Sequence, residues 1–268
     1  MANNIKRTWA GGIVNFIKCE DVEWKNIRYI KEPLEVTDEE ASWKYNLLLP
    51  RPLADWDVFS YWEGPRLKSM EEHLHKDDIL FDIGTEQGWL NIVYAQIVGP
   101  SNIVLIEPTS EFWPNIKETW YKNISQDPLA TSRVLFGEKH DKDYTIEYNE
   151  WPECSNGHLI DRNKYQYIHE NTENIPVTTI DEYVKQTTII PDAITCDIEG
   201  AELLMLRGAQ TTLKKYKPKL WISIHPDLGL RDYGVKKEDT INFLEDIGYM
   251  SEYISTDHEE HYYFEYKK

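Results

Sequence analysis

From residue 76 onward the chain alternates short apolar runs with amphipathic stretches, and this alternation limits the fold more than any other feature of the sequence. Asp78-Ile79-Leu80-Phe81-Asp82-Ile83 reads as a buried strand, followed by a turn with Gly84 and Gly88 and a helix over 89–95. A strand over 102–107, a helix over 112–121 with Pro114 in its first turn, and a strand over 133–136 come next. The pattern resumes at 177–184, with a strand over 192–197, a helix over 201–216 and a strand over 219–225. After a helix over 238–247 that Gly248 ends, two aromatic strands at 249–254 and 261–266 flank a polar turn and predict a hairpin. Strands joined by helices pair in parallel. The expected fold is therefore α/β, a mostly parallel seven-stranded sheet with a C-terminal antiparallel hairpin.

Two regions fall outside the alternation. Residues 1–75, with Pro33, Pro50, Pro52 and many aromatics, read as an N-terminal extension packed on a core of 76–268. Residues 140–175 are polar and aromatic with weak periodicity, an insertion where this architecture needs only a short connection. Forty-seven acids against 29 bases give a net charge of −18, which repels nucleic-acid backbones and anionic lipid, so neither is an expected partner. A 41% apolar and 13% aromatic content lets the chain fold despite that charge. Cys19, Cys154 and Cys196 are odd in number and widely spaced, as in reduced thiols. The N-terminus has no apolar signal core and no segment reaches about 18 apolar residues, so a cytoplasmic setting is expected. Oligomeric state is not legible.

The sharpest local signal is Asp82-Ile83-Gly84-Thr85-Glu86-Gln87-Gly88, a strand ending in an acid and a glycine turn that opens a helix. In an open α/β sheet, ligands sit over such strand ends. Glu107 ends the next strand, about 20 residues beyond the turn, where a carboxylate can accept both ribose hydroxyls of an adenosine-containing cofactor. No basic residue accompanies the turn to receive phosphates, and the three-glycine dinucleotide fingerprint is absent. The site thus suits a nucleoside carrying a cation, with Asp82 near an amino group.

The blocks Asp82-Ile83-Gly84-Thr85-Glu86-Gln87-Gly88, Ile106-Glu107-Pro108, Thr179-Ile180-Asp181 and Asp197-Ile198-Glu199-Gly200-Ala201-Glu202 occur in the order seen in FkbM-family methyltransferases, which this chain resembles over roughly residues 60–225. The resemblance implies a Rossmann-like class I methyltransferase fold and S-adenosylmethionine as cofactor. It implies O-methylation of a sugar hydroxyl, on a nucleotide-activated sugar or a unit of a capsule or surface glycan. Cofactor contacts are expected from Asp82, Gly84, Thr85, Glu86, Gln87, Gly88, Glu107 and Pro108, with Asp197 shared with the reaction side. Glu86 departs from the family, which commonly has Asn there.

Methyl transfer to an oxygen requires a positioned hydroxyl that loses its proton to a base or a metal-bound group. His225, Asp197 and Glu199 are the catalytic candidates. His225 ends the strand 219–225 and is taken as the general base, because imidazole titrates near pH 6.5, with Asp197 or Glu199 orienting substrate or ring. Glu202 reads as structural. A divalent ion held by Asp197, Glu199 and His225 remains an open alternative, since two oxygens and an imidazole suit Mg²⁺ or Mn²⁺. His258-Glu259-Glu260-His261 lacks the helical zinc-protease spacing and reads as a solvated turn. In the insertion, Trp151, Arg162, Tyr165 and Tyr167 are candidates for stacking on and hydrogen-bonding a sugar. Other acceptors kept open are a small phosphate-type or secondary metabolite, and a non-catalytic nucleoside-binding module fits the same turn.

Overall fold

The computed structural model describes residues 8–13, 16–18, 22–32, 42–51, 63–152, 158–160, 166–171 and 175–267. The elements used below are strands β1 (Trp24–Glu32) and β2 (Ser42–Pro50), helix α1 (Gly64–His73), β3 (Leu80–Ile83), α2 (Trp89–Val98), β4 (Ile103–Ile106), α3 (Trp113–Asn123) and β5 (Ala130–Ser132). They continue with α4 (Ile180–Thr187), β6 (Ala193–Cys196), α5 (Glu202–Arg207), α6 (Gln210–Tyr216), β7 (Lys219–Ile224), α7 (Lys237–Asp246), β8 (Tyr249–Thr256) and β9 (Glu260–Tyr266).

The seven-stranded sheet has the order β8-β9-β7-β6-β3-β4-β5. Its five strands from β7 to β5 are parallel, and β9 runs antiparallel between β7 and β8. Alternating side chains divide between two apolar layers, as the two-residue period of a strand demands. Leu80, Ile103, Leu105 and Trp221 face one layer with α2 and α3, whereas Phe81, Val104, Ile106 and Ile222 face the other with α4 and α5. This is a Rossmann-like class I methyltransferase topology, with the sheet order broken between β3 and β6. No helix of the described residues is long and apolar enough to cross a membrane.

Two elements differ from the sequence expectation. The edge strand of the sheet is Ala130–Ser132, and Leu135–Phe136 pairs instead with Val177–Thr178 in a separate parallel ladder. The helix expected over 201–216 is broken after Arg207. A Cβ on Gly208 would lie 2.1 Å from the Gly137 carbonyl oxygen, so the bare backbone is needed for that approach. Asp181 then accepts N–H groups of Thr211 at 2.9 Å and Thr212 at 2.7 Å, capping α6, while Thr179 Oγ1 caps α4 through the Glu182 N–H at 3.0 Å. The Thr179-Ile180-Asp181 block is thus a double helix cap.

β1 and β2 form a hairpin whose Tyr29, Tyr45, Leu47 and Leu49 are buried in the same layer as Trp89, Trp113 and Trp120. Tyr29 meets Trp89 edge-on at 5.2 Å. Asn123 exchanges two hydrogen bonds with the Leu48 backbone, at 2.8 and 2.9 Å, in the manner of a neighbouring strand. Short backbone ladders also join Thr8–Ile13 to Gln166–Asn171 and Phe16–Lys18 to His158–Ile160.

Leu47 is fully buried between hairpin and helices. Leu47→Ala is expected to cost about 2–5 kcal/mol in urea unfolding. A loss well below that range would show that the hairpin lies outside the main cooperative unit.

Candidate functional site

The C-terminal ends of β3, β4, β6 and β7 build one crevice. Gly84 has φ +88°, and a Cβ there would stand 1.8 Å from the carbonyl oxygen of Asp197, so the turn after β3 and the end of β6 approach closely only because residue 84 is glycine. Gly88 has φ +78° and lets α2 start against Ile116, whose Cα would be 2.9 Å from a Cβ at that position. The loop is laced to β4: Gly84 and Thr85 N–H both donate to the Ile106 carbonyl, at 3.0 and 3.2 Å.

Glu107 is buried and its two oxygens accept different backbone N–H groups, Oε2 from Glu86 at 3.0 Å and Oε1 from Thr109 at 2.8 Å. Burial pushes its carboxyl up to about 8, against these hydrogen bonds. The Thr109 hydroxyl donates to the same carboxylate, so three of its roughly four acceptor positions are taken. Glu86 has φ +52°, in the left-handed region that Asn adopts with less strain. Its contact with Glu107 runs through the backbone N–H and does not depend on the side chain.

Asp82 faces the same layer as Leu80. Its Oδ2 accepts from Thr85 Oγ1 at 2.8 Å and from Asn91 Nδ2, and burial lifts it to about 6. The Asn91 Oδ1 beside it is buried without a hydrogen-bond partner. Gln87 accepts from Asn115 at 3.2 Å, and the Pro108 carbonyl accepts from Arg133 at 3.1 Å. Below this end of the sheet, Arg66 donates to Thr195 at 3.1 Å and Tyr94 at 3.0 Å and pairs with Glu63.

His225 follows β7 and is buried, whereas Asp197 and Glu199 are 31% and 57% exposed at their side chains. Its Nδ1–H donates to Glu202 Oε1 at 2.9 Å, and the same oxygen takes the Gly200 N–H at 2.9 Å. Glu202 is therefore the residue that orients the ring, a part the sequence reading gives to Asp197 or Glu199. Nε2 instead faces Asp197 at 3.5 Å, Glu199 at 3.7 Å and Glu259 at 3.7 Å. Burial disfavours the imidazolium, but Glu202, Asp197 and Glu199 outweigh it and push His225 up to about 10, above the value near 6.5 used from sequence. Burial pushes Glu199 up to about 6 against the attraction of His225.

The hairpin turn is not solvated surface throughout. Ile224 pairs with Glu260 across β7 and β9, which delivers Glu259 beside His225. Glu259 is 1% exposed and pairs with His258. His261 is buried, with Ser223 at 3.0 Å on Nδ1 and Asp257 at 3.1 Å on Nε2. Sequence reasoning missed Arg66, read Glu63 as core or lid and Glu202 as structural, and placed Glu259 and His261 in a solvated turn. The antiparallel register was the available signal, because a strand paired to β7 must begin where β7 ends.

In the insertion, the Trp151 indole N–H donates to Tyr121 at 2.8 Å and its ring packs edge-on against Trp113, whose own N–H donates to the Glu107 carbonyl at 3.1 Å. Trp151 is thus linked to Glu107 through the Trp113 ring. Arg162 and Tyr165 lie outside the described residues, as do Tyr61, Trp62, Cys19 and Cys154, and Tyr167 is described only as backbone of a strand. Cys196 is buried in β6 as a free thiol.

A glycine turn over β3, a buried acid after β4 and ionisable groups after β6 and β7 define an open-sheet α/β protein whose candidate ligand site lies over the strand ends. The methyltransferase FkbM domain model matches residues 82–251, more than half of the chain, and the chain belongs to that family. Among curated proteins no relative is found. A solved FkbM methyltransferase from Methylobacillus flagellatus KT is 19% identical with a TM-score of 0.49, covering 72% of this chain and 44% of its own. This chain therefore spans less than half the length of that relative. A precorrin-6y C5,15-methyltransferase from Geobacter metallireducens GS-15 is 13% identical with a TM-score of 0.44, covering 77% of this chain and 88% of its own. TrmK of M. capricolum, solved with S-adenosylhomocysteine, is 14% identical with a TM-score of 0.41, covering 76% of this chain and 67% of its own.

The folded His225 value lies above the unfolded value of about 6.5, so this pairing adds to stability below about pH 6.5 and the gain disappears as pH rises through about 10. In chelator-treated protein, Glu202→Gln is expected to move the His225 ring titration, followed by NMR, down toward 6.5 and to flatten that fall in stability. An unchanged midpoint would remove Glu202 as the controlling partner.

Proposed function

We propose that the chain is an S-adenosylmethionine-dependent O-methyltransferase that methylates a hydroxyl of a sugar, carried on a nucleotide or in a unit of a capsule or surface glycan, in the cytoplasm. The observation that carries the cofactor reading is Glu107, a buried carboxylate that is bonded to the Gly84–Gly88 turn through the Glu86 N–H. Family membership supports the methyl transfer, and the sugar acceptor rests on what the resemblance of the sequence blocks implies. In this reading 76–268 form the methyltransferase domain, 1–75 an extension packed on it, and 140–175 the acceptor side with Trp151, Arg162, Tyr165 and Tyr167.

The residues fit the cofactor by the chemistry of their donors and acceptors. Glu107 accepts from the ribose hydroxyls, while the Asp82 carboxylate and the orphaned Asn91 Oδ1 supply acceptors for an amino group. When bound, the cofactor supplies a methyl on sulfonium, and the acceptor oxygen takes that methyl as the carbon–sulfur bond breaks and the bonding pair stays on sulfur. Asp197 and Glu199, the exposed members of the set, orient the acceptor hydroxyl. His225 receives its proton, held by Glu202 in the tautomer with the proton on Nδ1. A positive charge entering the crevice lowers the imidazolium toward the range in which it acts as a base.

Calorimetry with S-adenosylmethionine and S-adenosylhomocysteine is expected to show one site, and Glu107→Ala to weaken both at least about tenfold, as for loss of hydrogen bonds to a charged group. Failure of either ligand to bind the wild type would end the methyltransferase reading. Affinity for S-adenosylhomocysteine is expected to rise with pH through about 8, where Glu107 ionises, and this component is absent from the variant. Incubation with a panel of nucleotide sugars, followed by mass detection of a methyl gain, identifies the acceptor. His225→Ala is expected to keep cofactor affinity and lose at least about a hundredfold in turnover. Binding without turnover on every acceptor would favour the nucleoside-binding module.

A further inference from the structure

The C-terminal hairpin brings an acid to the crevice that the proposed methyl-transfer chemistry does not use. Glu259 sits 1% exposed at the turn between β8 and β9, with Oε2 paired to His258 and Oε1 buried without a hydrogen-bond partner. Glu63, at the start of α1, is also buried, and Asp197 comes from the end of β6. One oxygen from each of Glu63, Asp197 and Glu259 lies within 4.8 Å of the other two. Three carboxylates from three separate elements therefore converge where the sheet ends.

A second observation points into the same place from β7. The Nε2 of His225, with its side chain 3% exposed, has no hydrogen-bond partner and looks toward Asp197 at 3.5 Å and Glu259 at 3.7 Å. Its other nitrogen is fixed by Glu202, so the ring cannot turn away without breaking that bond. Arg66 and His258 each pair with one acid of the group, Glu63 and Glu259 respectively, and Asp257 and His261 stand behind the turn.

We propose that Glu63, Asp197 and Glu259 form a carboxylate site for one divalent cation, Mg²⁺ or Mn²⁺, beside His225. Oxygen donors about 2.1 Å from such an ion stand about 3 to 4 Å apart, so the group closes on it with small side-chain rotations. All-oxygen donors suit these hard ions, and an adjacent imidazole favours Mn²⁺ over Mg²⁺. The set differs from the Asp197, Glu199 and His225 arrangement read from sequence: the 57% exposed Glu199 is replaced by two buried acids from distant segments. The site does not depend on which acceptor the protein methylates. An ion there stands next to the hydroxyl that Asp197 orients and makes its proton easier to remove.

The test is Mn²⁺ binding to chelator-treated, then desalted, full-length protein, followed by electron paramagnetic resonance of the free ion. One Mn²⁺ per chain, displaced by excess Mg²⁺, is expected, with affinity at least about tenfold weaker in Glu259→Gln. Asp197→Asn, at a part-exposed side chain, is expected to weaken binding likewise and covers the case in which the Glu259 variant does not fold by circular dichroism. Absence of saturable Mn²⁺ uptake by the wild type, or unchanged affinity in the folded variants, overturns the site. S-adenosylhomocysteine calorimetry on the same metal-free protein reads the cofactor pocket separately, so the two proposals fail independently.

Discussion

The crevice exists because one methyl group is missing. With φ +88° and the Asp197 carbonyl where a Cβ would be, Gly84 allows the loop after β3 and the end of β6 to touch. Everything on either side of that contact is positioned by it. Toward β4, the loop hands its Glu86 N–H to Glu107 and its Thr85 hydroxyl to Asp82. Toward β7, the chain leaving Asp197 turns through Gly200, whose own close approach to Gly229 is possible only without a side chain, and places Glu202 under His225. Glu107 on one side and Asp197 with Glu202 on the other are thus two sides of one backbone contact.

The polar residues follow from the alternation of the strands. Asp82, Thr195 and Ser223 project to the face that carries Leu80 and Trp221, and there they meet Arg66 on α1. Arg66 is buried, and Glu63 raises its affinity for the proton even though burial opposes it. Glu63 in turn is pushed up to about 7, mainly by burial. A fully buried ion pair contributes little net stability, but it fixes where its partners sit. Through Ser223 and His261 the network extends to Asp257 in the hairpin, so helix α1 and the last turn of the sheet are joined by hydrogen bonds as well as by packing.

Strong periodicity made most of the fold legible. β3, β4, β6 and β7 are apolar runs, and the polar residues near or just past their C-terminal ends, Asp82, Glu107, Asp197 and His225, were all recognisable for that reason. What stayed hidden was set by contacts distant in sequence. Nothing local in 133–136 says that the sheet edge lies at Ala130–Ser132, since that choice depends on pairing with Val104–Ile106 and on Val177 taking the following residues. Gly208 breaks a helix because Gly137 passes against it, a meeting of two segments about 70 residues apart in the chain. Glu202 resembles a helix-dipole acid in sequence and is recognised as the partner of His225 only once β7 is laid beside β6. The hairpin turn misled by composition, because charged residues usually face water.

The position of Glu259 has a bearing on biosynthesis. Ribosomes deliver the glycine turn and Glu107 early, whereas the acid that meets His225 emerges only with the closing hairpin. A nascent polypeptide that has released its first two hundred residues carries Glu63, Glu107 and Asp197 but neither His225 nor Glu259, so the group of side chains at the sheet end is completed only after Glu259 has been made.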